Sequence, residues 1–274
     1  MNLEQALEIV SATDPGMVRS HNEDSVACDA AMGLVVLADG MGGYNAGEVA
    51  SGMATTVIVT EMRPVLERYT PLEGDIRTVP SPAQKLLRDH IARANTAIYQ
   101  ASQRQPQYSG MGTTLVVALF HDDKMSVAHI GDSRLYRMRS DEFSQVTKDH
   151  SLLQQQIDSG LITPEQARFS ANKNLVTRAL GIDPAVEPEI HDYDTRVGDV
   201  YLLCSDGLCD MVSDEDIGMA LQTLGANLNL CAQQLVQMAN DNGGRDNVSV
   251  ILVKILHNYA VPRGFLSKFF RWLK

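Results

Sequence analysis

Aspartate residues stand next to apolar segments at four separate places in this 274-residue chain. Asp39 and Asp206 each end an apolar run and precede a glycine, Asp132 lies between two apolar runs, and Asp246 precedes the last one. Each position alone is explained by a turn, because Asp-Gly and similar pairs favour turns. Their recurrence at strand ends predicts that the four carboxylates meet at one edge of a sheet. Such oxygen ligands suit Mg²⁺ or Mn²⁺.

A second acidic segment carries an arginine. RSHNED (19–24) places Arg19 shortly before Glu23 and Asp24. Arginine grips phosphoryl oxygens with parallel N–H donors. The glycines that follow Asp39 would let backbone approach a bound ion or substrate closely. Together these residues point to metal-assisted hydrolysis of a phosphoryl group.

Several competing chemistries lack their motifs. The segment GMGGYN departs from the dinucleotide pattern, because Asn45 stands where its last glycine should be. The chain contains no P-loop, no G-x-S-x-G nucleophile elbow and no His-Glu-x-x-His. No cysteine is followed six residues later by arginine, so a cysteine-nucleophile phosphatase is not expected either.

Composition indicates an ordinary globular protein. The net charge of −11 and the pI near 5.0 argue against nucleic-acid binding, which needs a surplus of Lys and Arg. The four cysteines form no Cys-x-x-Cys pair and suggest a reduced compartment. No secretory signal and no apolar run of membrane-spanning length are present. We therefore expect a cytoplasmic protein.

Apolar patterns predict strands that cluster between groups of helices. Helices are predicted at 46–62, 83–104 and 228–240, with a further helix start at Pro164 and a surface connection over 63–82. Strands are predicted at 5–13, 33–38, 113–120, 124–130, 133–139, 199–205 and 247–256. This order favours an α+β fold with mainly antiparallel sheets over a doubly wound parallel fold.

The motifs taken together resemble the metal-dependent protein phosphatase family, also called protein phosphatase 2C, in its compact bacterial form. The resemblance covers residues 13 to about 254 and rests on eight segments in order: RSHNEDS, LADGMGG with AGEVAS, MGTTLVVA, IGDSRLY, KDHSLLQQQIDSGLITPEQA, NLVTRALG, LLCSDGL and GGRDNVSV. It implies a four-layer α-β-β-α sandwich of two mainly antiparallel sheets flanked by helix pairs. A two-metal site would lie in a cleft at one end.

The resemblance also implies roles for individual residues. Asp39 would bridge two Mn²⁺ or Mg²⁺ ions, the carbonyl of Gly40 would bind one of them, and Asp206 and Asp246 would hold the other. Asp132 matches the residue for a weaker third metal. These assignments imply direct attack on phosphorus by a water or hydroxide that bridges the metals.

The remaining acidic segment completes the implied site. Glu23 and Asp24 would surround the metals through bound waters, and Arg19 would hold the substrate phosphate. Tyr44 stands where many bacterial relatives have a histidine that could protonate the leaving alcohol, and tyrosine is a poorer proton source at pH 7. His21 is an alternative donor. A flap over about 150–178 departs from relatives at ARFSANKN.

We predict a catalytic domain over 1–257 and a basic amphipathic tail over 258–274. The tail's apolar face would hold Phe265, Leu266, Phe269, Phe270, Trp272 and Leu273, and its basic face Lys268, Arg271 and Lys274. It is either a peripheral membrane or protein docking segment at the inner face of the membrane, or a terminal helix packed on the body.

The expected function is a serine/threonine protein phosphatase that acts on phosphoserine and phosphothreonine. A serine/threonine kinase and its substrates would be its partners, and we expect a monomer. Two alternatives stay open: a catalytically weak or inactive pseudophosphatase scaffold, and a phosphohydrolase for small molecules. Intact Arg19, Asp39, Asp206 and Asp246 argue against the scaffold, which has no need of all four.

Overall fold

The computed structural model describes residues 3–43, 46–68, 80–167 and 175–261. The strands are β1 Leu7–Asp14, β2 Asp24–Asp29, β3 Leu34–Met41, β4 Gly112–Thr113, β5 Leu115–His121, β6 Lys124–Ile130, β7 Arg134–Arg139, β8 Glu142–Gln145, β9 Glu189–Asp194, β10 Val200–Cys204 and β11 Val248–Ile255. The helices are α1 Leu3–Ala6, α2 Ala46–Arg68, α3 Pro82–Arg104, α4 Leu152–Asp158, α5 Pro164–Ala167, α6 Asp206–Cys209, α7 Asp214–Leu224 and α8 Leu228–Asp241, with a 3₁₀ turn at Pro106–Tyr108. None of the described helices has the length and apolarity needed to cross a membrane.

The strands form two sheets. The first has the order β1-β11-β10-β7-β8, and the second has the order β2-β3-β5-β6-β9, with β4 paired to β3. Every pairing between the described strands is antiparallel. The predicted α+β class with mainly antiparallel sheets is therefore confirmed.

Alternation along the strands builds three apolar layers. Val35 and Leu37 face a core between the two sheets, where they meet Tyr201, Leu203 and other residues of the first sheet. Their neighbours in β3 point the other way and pack with α2 and α3. In β10, Val200, Leu202 and Cys204 alternate with Tyr201 and Leu203 and pack on the outer side of the first sheet against α7 and α8. Because strands expose successive side chains to opposite faces, two sheets that are apolar on both faces require helices outside.

Most of the predicted elements are present, with some differences in extent. Helix α2 continues six residues beyond the predicted end, through Pro64, to Arg68. Residues 5 and 6, predicted as the start of the first strand, lie in helix α1, and the predictions missed helices α6 and α7 and strands β2, β8 and β9. These strands are short and only partly buried, so their residues lack the continuous apolar run that marks the central strands. The predicted helix start at Pro164 is confirmed.

A matched pair of leucine substitutions tests the core between the sheets. Leu203 is fully buried there, whereas Leu230 on α8 is 48% exposed. We expect Leu203→Ala to lower the free energy of unfolding by about 2–5 kcal/mol, because it leaves a cavity in close-packed surroundings. Leu230→Ala should change it by no more than about 0.5 kcal/mol. Urea denaturation of both variants measures the difference, and equal effects would contradict the assigned layer.

Candidate active site

Asp39 and Asp24 lie directly opposite each other on neighbouring strands. Their Cα atoms are register partners in the β2–β3 pair. The backbone of Asp39 is held from the other side by Thr114, whose hydroxyl accepts from its N–H at 3.0 Å and whose own N–H donates to its carbonyl at 2.8 Å. The hydroxyl of Thr113 donates to the same carbonyl at 2.8 Å. The Asp39 carboxylate therefore stands on a backbone that is fixed on both sides.

Gly40 lies where two backbone segments come together. Its N–H donates to the carbonyl of Glu23 at 3.1 Å. A Cβ at Gly40 would lie 2.2 Å from the carbonyl oxygen of Gly47 in the first turn of α2 and 2.6 Å from that of Glu23. No side chain fits at this position. Glycine at position 40 is therefore required by the close packing of the Glu23 and Gly47 backbone segments.

Asp206 and Asp132 come from the other strand ends. Asp206 follows β10 and opens the short helix α6, and Asp132 lies in the loop between β6 and β7, where it is 7% exposed. The hydroxyl of Ser205 donates to Oδ2 of Asp24 at 2.9 Å and so joins the two sheets at this edge. A Cβ at Gly207 would lie 2.0 Å from the carbonyl oxygen of Asn247, which shows how closely α6 packs on the chain before β11.

Asn247 ties the arginine segment to the same edge. Its side-chain oxygen accepts from the N–H of Glu23 at 2.8 Å, and its amide donates to the carbonyls of Pro15 and His21 at 3.0 and 2.9 Å. Next to it, Oδ2 of Asp246 accepts from the guanidinium of Arg19 at 2.8 Å. Arg19 is thus held beside the carboxylates while 54% of its side chain stays exposed.

The carboxylates raise one another's pKa values. Burial raises the pKa of Asp39 well above its usual range, and the charges of Asp24, Asp206, Asp132 and Asp246 raise it further. Burial likewise raises the pKa of Asp206, with repulsion from Asp132 as the next cause. The pKa values of Asp24 and Asp132 are raised to about 6, mainly by burial.

These residues fit divalent cations. Oδ1 of Asp24 is buried without a hydrogen-bond donor. Among the described residues, the Arg19–Asp246 contact is the one ion pair that reaches this group of carboxylates. Buried carboxylates without a cationic partner are costly, and a bound divalent ion would offset that cost. The donor set is all oxygen, as Mg²⁺ and Mn²⁺ prefer.

The structure brings together all seven acidic and arginine residues that the sequence proposed: Arg19, Glu23, Asp24, Asp39, Asp132, Asp206 and Asp246. Sequence reasoning missed three residues that hold them: Thr114, Ser205 and Asn247. Ser205 and Asn247 directly flank proposed ligands in the chain, and that adjacency was the available signal. Thr114 lay inside a predicted strand, where nothing distinguished it from a structural residue.

A second group of potential ligand residues contains two histidines. His129, His150 and Glu189 place potential ligand atoms within 4.8 Å of one another. However, Nε2 of His129 bonds the carbonyl of Lys148 at 2.8 Å, and the N–H of Gly131 donates to Nδ1 of His150 at 3.2 Å. His150 therefore carries its proton on Nε2, which faces Glu189. This hydrogen-bonded arrangement fits a structural support at the start of the predicted flap better than a metal site.

Some predicted features lie outside the described residues. They are Tyr44, the central part of the flap (168–174) and the tail from residue 262 onward. His21 is described: its side chain is exposed and its carbonyl accepts from Asn247, so its backbone is fixed next to the site.

Comparison with known proteins identifies the family. The protein phosphatase 2C family model matches residues 18–252. The serine/threonine protein phosphatase PstP of Mycobacterium tuberculosis is 41% identical over 265 residues, which are 95% of this chain and 48% of PstP. The protein phosphatase PhpP of Streptococcus pneumoniae is 35% identical over 252 residues, 91% of this chain and 98% of PhpP.

Solved structures agree with the sequence matches. The catalytic domain of PstP, solved in complex with two manganese ions, superimposes with a TM-score of 0.79 and 39% identity and covers 92% of this chain and 99% of that one. The chain belongs to the protein phosphatase 2C family. It spans about half the length of the mycobacterial relative that it matches.

The raised carboxyl pKa values predict how stability depends on pH in the metal-free protein. The pKa of Asp24 is about 6 in the folded protein and about 3.9 in the unfolded chain. The folded state therefore holds this proton more tightly, and the stability associated with the protonated carboxyl group is fully present below about pH 4 and is lost as pH rises through 6. Each pKa unit corresponds to about 1.4 kcal/mol. In chelator, we expect the free energy of unfolding of the native chain to fall relative to Asp24→Asn between pH 4 and 7.

Urea denaturation at several pH values measures this difference, and the comparison cancels the titration of groups that do not interact with Asp24. Asp24→Asn also removes the repulsion that raises the pKa of Asp39, which changes the difference in the same direction. Asp89→Asn on the exposed side of α3 is the matched control and should parallel the native chain. A constant offset between the native chain and Asp24→Asn would contradict the raised pKa.

Proposed function

We propose that this chain is a metal-dependent serine/threonine protein phosphatase. The observation that supports this most directly is the group of buried and partly buried carboxylates at one sheet edge with Arg19 beside it. The named relatives PstP and PhpP are phosphatases, and PstP was solved with two manganese ions. Phosphorylated proteins would be the substrates.

The cations would be held by Asp39, the Gly40 carbonyl, Asp206 and Asp246, with Asp132 as a ligand of a weaker third ion. When bound, two divalent cations supply an activated water as nucleophile and neutralise charge on the phosphoryl group. The chain itself then needs no nucleophilic side chain.

Arg19 would bind and orient the phosphoryl group. Its guanidinium is fixed through Asp246, and the segment that carries it is tied down by Asn247. Because more than half of the side chain stays exposed, its remaining N–H donors are open to an incoming phosphate. A positioned arginine stabilises the equatorial oxygens during in-line attack.

Substitution of one proposed ligand tests this function. We expect the native chain to hydrolyse a phosphothreonine peptide with Mn²⁺ and not with chelator, and Asp206→Asn to lose roughly a hundredfold or more of that activity. Mn²⁺ should also raise the unfolding temperature of the native chain and much less that of the variant. In the presence of chelator, Asp206→Asn should be more stable than the native chain, because the substitution removes a carboxylate that is disfavoured by burial and repelled by neighbouring carboxylates.

The exposed Asp89→Asn serves as control and should keep both the activity and the response to Mn²⁺. Stabilisation of the native chain by Mn²⁺ without any turnover would favour the scaffold alternative. Turnover that is unaffected by Asp206→Asn would overturn the assigned site.

The tail and the partners extend the proposal. We infer that a serine/threonine kinase opposes this phosphatase in a cytoplasmic setting, and that the protein acts as a monomer whose segment 262–274 docks it on a membrane surface. The support is the basic and aromatic composition of that segment, which is typical of interfacial helices.

A truncated chain tests the membrane contact. The native chain should co-sediment with vesicles that contain anionic phospholipid, and the chain without residues 262–274 should stay in solution, because an acidic body has no other evident attraction to that surface. Peptide phosphatase activity of both forms controls for folding. Equal sedimentation would rule out docking through the tail.

A further inference from the structure

Two apolar side chains are exposed directly beside Arg19. Met17 is 70% exposed and Val18 is 69% exposed. Within the described parts of the chain, they are the one consecutive pair among the exposed large hydrophobic residues. Scattered exposed apolar residues need no explanation, but an adjacent pair next to a proposed phosphate-binding residue does.

The backbone under this pair is fixed. The N–H groups of Met17 and Val18 both donate to the carbonyl of Gly244, at 2.8 and 3.2 Å. On the preceding side, Gly16 has φ of +80° and donates to Asp14 at 2.8 Å. The two side chains are therefore presented to solvent from a rigid base and are not part of a loosely held loop.

This base is the same backbone that carries the proposed metal ligand Asp246. A Cβ at Gly16 would lie 2.3 Å from the carbonyl oxygen of Asp246, and one at Gly244 would lie 2.7 Å from the N–H nitrogen of Met17. Asn247 bonds the carbonyls on both sides of the pair, at Pro15 and His21. Met17 and Val18 are thus positioned relative to the site through backbone contacts.

We propose that Met17 and Val18 form a docking surface for an apolar side chain of the phosphoprotein substrate, next to its phosphorylated residue. This rests on the proposed function, because it assumes that Arg19 holds the phosphate. Because Met17 and Val18 directly precede Arg19 and are exposed, a peptide whose phosphate is bound by Arg19 can lay a neighbouring residue on them. Two apolar side chains there favour apolar partners, since their contact removes hydrocarbon surface from water.

The surroundings disfavour other occupants. A charged residue beside the phosphorylated residue would lose hydration against Met17 and Val18 without gaining a charged partner from them. Met17 and Val18 offer no side-chain donor or acceptor of note for a polar neighbour. The surface therefore selects substrates by an apolar contact near the phosphate and acts as a specificity determinant, not as a catalytic group.

Phosphothreonine peptides that differ at one position test the proposal. Leucine is placed at position −2, −1, +1 or +2 from the phosphothreonine in an otherwise serine and glycine sequence, and kcat/KM is measured with Mn²⁺. We expect the native chain to prefer at least one leucine peptide over the all-serine peptide by about tenfold. The double variant Met17→Ser/Val18→Ser should lose that preference, mainly through a higher KM.

A matched double variant controls for the loss of exposed apolar surface. Met219 on α7 is 58% exposed, and Val197 is 53% exposed before β10, at the end of that strand opposite Asp206. Met219→Ser/Val197→Ser should keep the leucine preference. An unchanged preference in Met17→Ser/Val18→Ser overturns the proposal, as does an equal loss for leucine and all-serine peptides, which would indicate a role in positioning Arg19 only.

Hydrolysis of p-nitrophenyl phosphate separates this proposal from the proposed function. This ester carries a phosphate and no flanking residues. The fold decrease in kcat/KM caused by Met17→Ser/Val18→Ser should therefore be at least about fivefold smaller for this ester than for the preferred leucine peptide. Failure of the native chain to hydrolyse any of these esters with Mn²⁺ would instead refute the proposed function. In that case, fluorescence anisotropy of labelled leucine and serine peptides decides whether Met17 and Val18 form a docking surface.

Discussion

Repulsion among partly buried carboxylates is the constraint on which this structure depends. Asp39 and Asp206 come from different sheets. Burial raises the pKa values of both, and neighbouring carboxylates raise them further, with Asp24 the leading neighbour for Asp39 and Asp132 for Asp206. Charges in such a place persist only where surrounding structure over-determines the geometry. The two sheets supply that structure, because their strands are antiparallel and their central strands are apolar on both faces. The sandwich thus holds in place an edge that is unfavourable without cations.

Apart from the Arg19–Asp246 ion pair, the connections described at this edge are made by neutral polar groups. Ser205 links the first sheet to Asp24 of the second, Thr114 fixes the backbone of Asp39, and Asn247 ties the segment of Arg19 to the start of β11. Ser205 bonds a carboxylate directly, whereas Thr114 and Asn247 hold the backbone of the segments that carry Asp39 and Arg19, and none of the three neutralises a carboxylate. A lysine or arginine in the same positions would stabilise the apoprotein and compete with divalent cations for the same oxygens.

The sequence predicted the central strands and the acidic edge because both have strong local signals. Long apolar runs mark β3, β5, β10 and β11, and an aspartate at the end of a run is visible without a structure. The partly buried strands β2 and β9 have no such run, and their place depends on pairing with distant partners. Likewise, Thr114 bonds a residue 75 positions away in the sequence, and Asn247 bonds residues at least 224 positions away. No local sequence pattern shows such contacts.

The segment before Glu23 shows how one support can serve two purposes. The hydrogen bonds that place Arg19 beside Asp246 also fix the backbone of Met17 and Val18, so a rigid phosphate contact and a rigid apolar surface come from the same backbone. Rigidity matters for both, because a flexible segment would lose conformational entropy on binding and weaken the contact. Substitutions at Met17 or Val18 can then change substrate preference while the backbone bonds that position Arg19 are kept. Variation at these two positions is therefore a route to new substrates that leaves the carboxylate edge intact.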